Sequence, residues 1–98
     1  MKIDVIKNDD ELTLIPDGRL DTMTAPEFEK VLMDQISGVK KLYIDFEKTP
    51  YLSSAGIRVL LKAAKMMLEQ GSMKLLHVPQ EVMEVLDITG FLDIFDIN

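Results

Sequence analysis

Ile3 and Val5, then Leu12 and Leu14, alternate with polar neighbours, the period-two pattern of half-buried strands. Asn8-Asp9-Asp10 between them is a polar cluster suited to a hairpin turn, and Pro16-Asp17-Gly18 ends the second strand. The period then changes. Ala25, Phe28, Val31, Leu32 and Ile36 fall at helical spacing, so a first helix runs to about Ser37 and stops at Gly38. Thr24 is its expected N-cap, with Pro26 in the first turn and Glu27 completing a capping box. Lys41 to Phe46 reads as a third strand with Leu42, Ile44 and Phe46 on one face, broken by Lys48-Thr49-Pro50. Ile57, Leu60, Leu61, Ala64 and Leu68 make one apolar stripe of a second helix, with Arg58, Lys62, Lys65 and Glu69 opposite and Gly71 as its stop. Met73 to Val78 is a near-continuous apolar run, read as a well-buried fourth strand. Gln80 to about Thr89 is a third helix closed by Gly90, and Ile94 to Ile97 a possible edge strand.

The order β-β-α-β-α-β-α(-β) defines a small α/β domain. Strands joined through helices pair in parallel by right-handed crossovers, so a mixed, mainly parallel sheet of four to five strands with one antiparallel hairpin is expected, helices packed on it.

Composition narrows the function. With 98 residues there is room for one core. Eleven basic against seventeen acidic residues give a net charge of -6, which repels phosphate backbones, and no basic stripe with interleaved aromatics appears; nucleic-acid binding is not expected. No apolar run approaches the roughly 20 residues that span a bilayer. The N-terminus lacks an apolar signal segment, so a reducing cytoplasm and no membrane are the expectation. There are no cysteines and one histidine, His77, so no metal site and no cofactor are expected, and His77 reads as a strand-end residue. A hydrolase triad of Ser54, His77 and Asp45 lacks the G-x-S-x-G elbow, and no phosphate-binding glycine loop is present; the chain does not read as an enzyme.

What remains is YLSSAGIRVLL, Tyr51 to Leu61, where two serines and a glycine open the second helix. A Ser-Ser pair before a helix is in most proteins a plain N-cap. The wider run DFEKTPYLSSAGIRVLL, Asp45 to Leu61, resembles the signature of STAS domains, in particular the bacterial anti-sigma factor antagonists. Gly18-Arg19-Leu20-Asp21 is similar to that family's Gly-x-Leu-Asp segment, and Ile88-Thr89-Gly90-Phe91-Leu92 to its late Gly-Phe/Leu turn. The likeness covers nearly the whole chain. It implies a single STAS domain over residues 1–98, the family's C-terminal helix being absent.

It also implies partner switching: binding to an anti-sigma factor that is usually also a serine kinase, inactivation by phosphorylation, and recovery through a serine phosphatase, the protein being a monomer or weak dimer. The position matching the family phosphoacceptor is Ser54, two residues before Gly56, with Ser53 where aspartate is often found and as the second candidate acceptor. The family's aspartate near that serine corresponds to Asp21. Arg58, Met66 and Met67 lie on or beside the outer face of the second helix, and Asp21, Ser53, Ser54, Gly56, Arg58 and Met66 make up the expected partner surface; an exposed methionine beside a basic residue suits an adaptable contact. The alternative is an unphosphorylated STAS interaction scaffold or regulatory subunit, which the serine at position 53 and the short C-terminus keep open.

Overall fold

The computed structural model describes residues 1–98, Met1 to Asn98. Strands β1 (Lys2–Asn8) and β2 (Glu11–Asp17) form the opening antiparallel hairpin, with Val5 opposite Leu14 and the turn made by Asp9 at φ 56, a left-handed conformation that aspartate tolerates. β2 ends at Asp17, within the Pro16-Asp17-Gly18 segment expected to end it, although Pro16 itself lies inside the strand and is buried. The reason is local: β2 pairs with β3 (Lys41–Asp45) only as far as Leu14, so the amide that proline lacks is not needed there. The Pro16 carbonyl instead accepts the buried Thr49 hydroxyl at 2.9 Å.

Helix α1 (Ala25–Gln35), α2 (Ser54–Gln70), β4 (Ser72–Leu76), α3 (Gln80–Ile88) and β5 (Asp96–Ile97) complete a five-stranded sheet in the order β1-β2-β3-β4-β5, parallel beyond the hairpin. The chain is therefore one α/β domain with a mixed sheet and three helices. The possible last strand does pair, through Lys74 opposite Asp96 and Leu75 opposite Ile97.

One face of the sheet carries the core. Leu12, Leu14, Leu42, Ile44 and Leu75 join Phe28 and Leu32 of α1 and Ile57, Leu60 and Met67 of α2 in one fully buried cluster. Several expected positions differ. Leu68 is 85% exposed, and the buried stripe of α2 runs through Ile57, Leu60, Ala63 and Met67. Leu68 lies one residue around the helix from Met67, which took the inward place. Val5 is 40% exposed because β1 is an edge strand, and β4 is buried only at Leu75, having a two-residue neighbour on its outer side.

The start of α1 also differs. Thr24 makes no cap bond in the sense expected and Glu27 closes no box. The reciprocal pair stands three residues earlier: Asp21 Oδ1 accepts from the Thr24 amide at 3.1 Å and from Met23 at 3.0 Å, while Thr24 Oγ1 accepts from the Asp21 amide at 2.9 Å. Residues 22–24 are thus already a turn, and the chain enters α1 through it.

Candidate functional site

The tip of α2 is held by two loops that run side by side. Leu20, after β2, and Leu52, before α2, form a parallel bridge, with the Leu20 amide donating to Tyr51 O and the Ser53 amide to Leu20 O, both at 2.9 Å. Both leucines are fully buried. Asp21 and Ser53 each follow the bridged pair directly. Gly56 packs beneath them: a β-carbon there would stand 2.6 Å from Leu52 Cδ1. Gly56 is buried and serves close packing, so within the expected partner surface it lies beneath the exposed residues.

The two serines divide the work. Ser53 is the N-cap, in an extended conformation with its hydroxyl accepting from the Gly56 amide at 3.4 Å. Ser54 is the first helical residue and is exposed; its hydroxyl makes no hydrogen bond within the chain. The amides of Ser54 and Ala55 have no acceptor in the chain either, so they face outward at the positive end of the helix dipole. Arg58, also exposed, stands one turn further along the same face.

Asp21, on the adjoining loop, keeps about a third of its side chain exposed (32%). Its carboxyl is held below the ordinary carboxylate range, first by the Thr24 backbone N–H and further by the Met23 amide, the Thr24 hydroxyl and the Arg19 guanidinium; partial burial opposes this. Arg19 Nε lies 3.9 Å from Asp21 Oδ2, and its guanidinium sits 4.2 Å above the Tyr51 ring, a cation–π contact that joins the two loops at the surface.

Of the other expected residues, Met66 is twelve positions beyond Ser54, about 18 Å along a helix that rises 1.5 Å per residue, and it is half-buried against the core. Met67 is buried in the core. Neither joins the tip. Sequence reasoning missed an open cleft between α1 and α2, lined by Thr22, Ala25, Pro26, Ala55, Arg58 and Val59, which begins beside Ser54. Helical spacing put these side chains on the flanks of two elements, and only the packing of α1 on α2 made them one surface.

A second grouping was also missed. His77 lies beyond β4 rather than at its end, at φ 51, and its Nδ1 is 3.1 Å from Asp45 Oδ1. Glu47 is close by, so one nitrogen and two carboxylates meet where β3 and β4 end. No hydrogen bond links His77 to Ser54, so the pair does not extend to a triad.

With the mixed five-stranded sheet and the capped serine pair in place, the family model for the STAS domain matches residues 2–98. The chain belongs to the STAS domain family. It is 34% identical over 99 residues to a Bordetella bronchiseptica protein provisionally named anti-sigma factor antagonist BtrV, covering 99% of this chain and 85% of that one. It is 29% identical over 99 residues to the anti-sigma-B factor antagonist of Bacillus subtilis, covering 100% of this chain and 91% of that one. The fold is similar to that of the anti-sigma factor antagonist SpoIIAA in its unphosphorylated form, with a TM-score of 0.82 at 16% identity over 99% of this chain and 88% of that one. SpoIIAA in its phosphorylated form gives a TM-score of 0.74 at 15% identity over 99% and 91%.

Proposed function

We propose that this chain is an anti-sigma factor antagonist that docks an anti-sigma factor/serine kinase with the tip of α2 and the cleft beside it. Phosphorylation of Ser54 by that kinase switches it off, and a serine phosphatase restores it. The names of the Bordetella and Bacillus relatives support the antagonist reading. The observation that carries the switch is the division between the serines: Ser53 takes the capping duty, leaving the Ser54 hydroxyl exposed and unbonded.

The physics follows from that placement. A phosphate carries about -1.5 to -2 charge and would lie against the open amides of the helix tip, where negative charge stabilises by about 0.3–1 kcal/mol. The fold therefore tolerates it. A partner seated over the tip must instead desolvate a dianion it was not built to pair, at a cost of several kcal/mol. Each 1.4 kcal/mol is about tenfold in affinity, so one phosphate abolishes micromolar binding.

The test mixes the chain with ATP and an anti-sigma factor/serine kinase encoded in the same genome, maps the phosphate by mass spectrometry, and titrates the partner calorimetrically with the parent chain and with Ser54→Asp. Phosphate on Ser54 and an affinity loss of about a hundredfold or more are expected. No modification, together with an affinity indifferent to Ser54, would overturn the switch and leave an unregulated STAS scaffold.

A further inference from the structure

We infer that Asp45, Glu47 and His77 form a binding site for a single divalent transition-metal ion of the Zn²⁺ type. The strand register builds the site. Asp45, the last residue of β3, pairs with Leu76, the last residue of β4, and the Phe46 amide donates to Leu76 O at 2.9 Å. The two parallel strands thus end level, and the chain beyond each places Glu47 and His77 around the Asp45 carboxylate.

One donor atom from each of the three lies within 4.8 Å of the other two. Neighbouring ligands on a tetrahedral ion with bonds of about 2.0–2.1 Å stand roughly 3.3–3.4 Å apart, and His77 Nδ1 and Asp45 Oδ1 are already 3.1 Å apart. Glu47 is exposed, so its side chain is free to close the remaining gap. Asp45 is the fixed member, its side chain only 11% exposed and its Oδ1 held by the Glu47 amide at 2.9 Å. Its second oxygen makes no hydrogen bond within the chain, and neither carboxylate forms an ion pair with lysine or arginine. Two carboxylates therefore converge on an imidazole with no fixed cation between them.

The donor set selects the ion. An imidazole nitrogen disfavours Mg²⁺ and Ca²⁺, which take oxygen ligands, and suits Zn²⁺ and its neighbours in the first transition row. To ligate through Nδ1 the ring takes the Nε2–H tautomer, and a proton on Nδ1, where it bridges to Asp45 Oδ1, moves to Nε2 or is released to solvent. With no cysteine and no other histidine, the chain has no competing thiolate or imidazole site. A bound ion would join the segment that follows β3 to the segment that follows β4.

The test titrates ZnCl₂ into the metal-free chain by calorimetry and follows the His77 ring by NMR, where a lone histidine needs no separate assignment. One-to-one saturable binding is expected, with the ring resonances perturbed at the same stoichiometry and MgCl₂ at equal concentration leaving them unmoved. His77→Asn, which tolerates the left-handed backbone at this position, and Glu47→Gln should each weaken binding by about tenfold or more while the circular dichroism spectrum is unchanged. Absence of saturable binding would overturn the inference. So would binding that leaves the ring resonances in place, or that His77→Asn weakens less than twofold.

Discussion

Replacing Gly56 by alanine probes the packing that holds the α2 tip against its neighbouring loop. The added β-carbon would stand 2.6 Å from Leu52 Cδ1 and 3.0 and 3.1 Å from Leu20 Cγ and Cδ2, all inside van der Waals contact. Both leucines are fully buried, and their backbones are joined by the bridge that aligns the two loops, so neither side chain can swing out without opening the core. Overpacking of this kind costs about 1–3 kcal/mol. Alanine would return up to about 1 kcal/mol of helix propensity, less in a first turn. The net expectation is a loss of about 1–2 kcal/mol, at about 4–8 °C per kcal/mol for a domain of this size. Urea denaturation should show a lower midpoint at unchanged slope. The decisive control is Leu52→Ala, which removes the clashing Cδ1. In that background Gly56→Ala should cost at least about 1 kcal/mol less than in the parent, a coupling expected only of residues in contact. If Gly56→Ala is as stable as the parent, or costs the same in both backgrounds, the assignment of this glycine to close packing is refuted.

Three further expectations follow from the same geometry. Leu68→Glu should leave the urea midpoint within about 0.5 kcal/mol of the parent, whereas Met67→Ala should lose about 2–5 kcal/mol, because only the second empties a core position. Ser53→Ala should cost about 0.5–1 kcal/mol, the low end for a cap bonded at 3.4 Å, while Ser54→Asp should be neutral or slightly stabilising in the same melts; the reverse order would reassign the cap. Asp21 has a folded-state pKa below its unfolded value, so its contribution is fully present above the unfolded value of about 3.9 and is lost as pH falls through the folded one. Stability measured from pH 6 downward should therefore fall less steeply in Asp21→Asn than in the parent, and equal slopes would count against the Asp21–Thr24 pairing.

The element order was legible because its signals are local and period-based. Strand alternation, helical spacing and the Gly38, Gly71 and Gly90 stops all act within a few residues of one another, and the observed helices end one to three residues before those glycines. What failed was assignment of faces. A stripe drawn through Leu68 and one drawn through Met67 differ by a single position on the helix, and both fit an apolar repeat; the neighbours in space decide between them. β2 ends at Asp17 as the Pro16-Asp17-Gly18 segment suggested, yet Pro16 itself sits inside the strand for a related reason. Its missing donor matters only where a partner strand extends alongside, and that depends on where β3 ends rather than on proline itself.

At the site, the sequence carried the serine pair but not the allocation of duties between them. Both residues are good caps, and which one bends into the extended N-cap conformation depends on the Leu20–Leu52 bridge, a contact between segments some thirty residues apart. That contact has a consequence for any switch built here. The residue next to the bridge is fixed by backbone bonds and occupied as a cap, so it is poorly placed to change without disturbing the helix start. The next residue inherits a rigid base and an open hydroxyl with two unbonded amides beside it. Charge added there meets a surface already oriented to receive an anion, and its effect passes outward to whatever docks on the tip. Asp45, Glu47 and His77 illustrate the opposite limit: they stand up to 32 residues apart and share no motif, and only the level ends of two parallel strands bring them together. Local pattern therefore finds groupings that one segment carries alone, and sheet register finds those shared between segments.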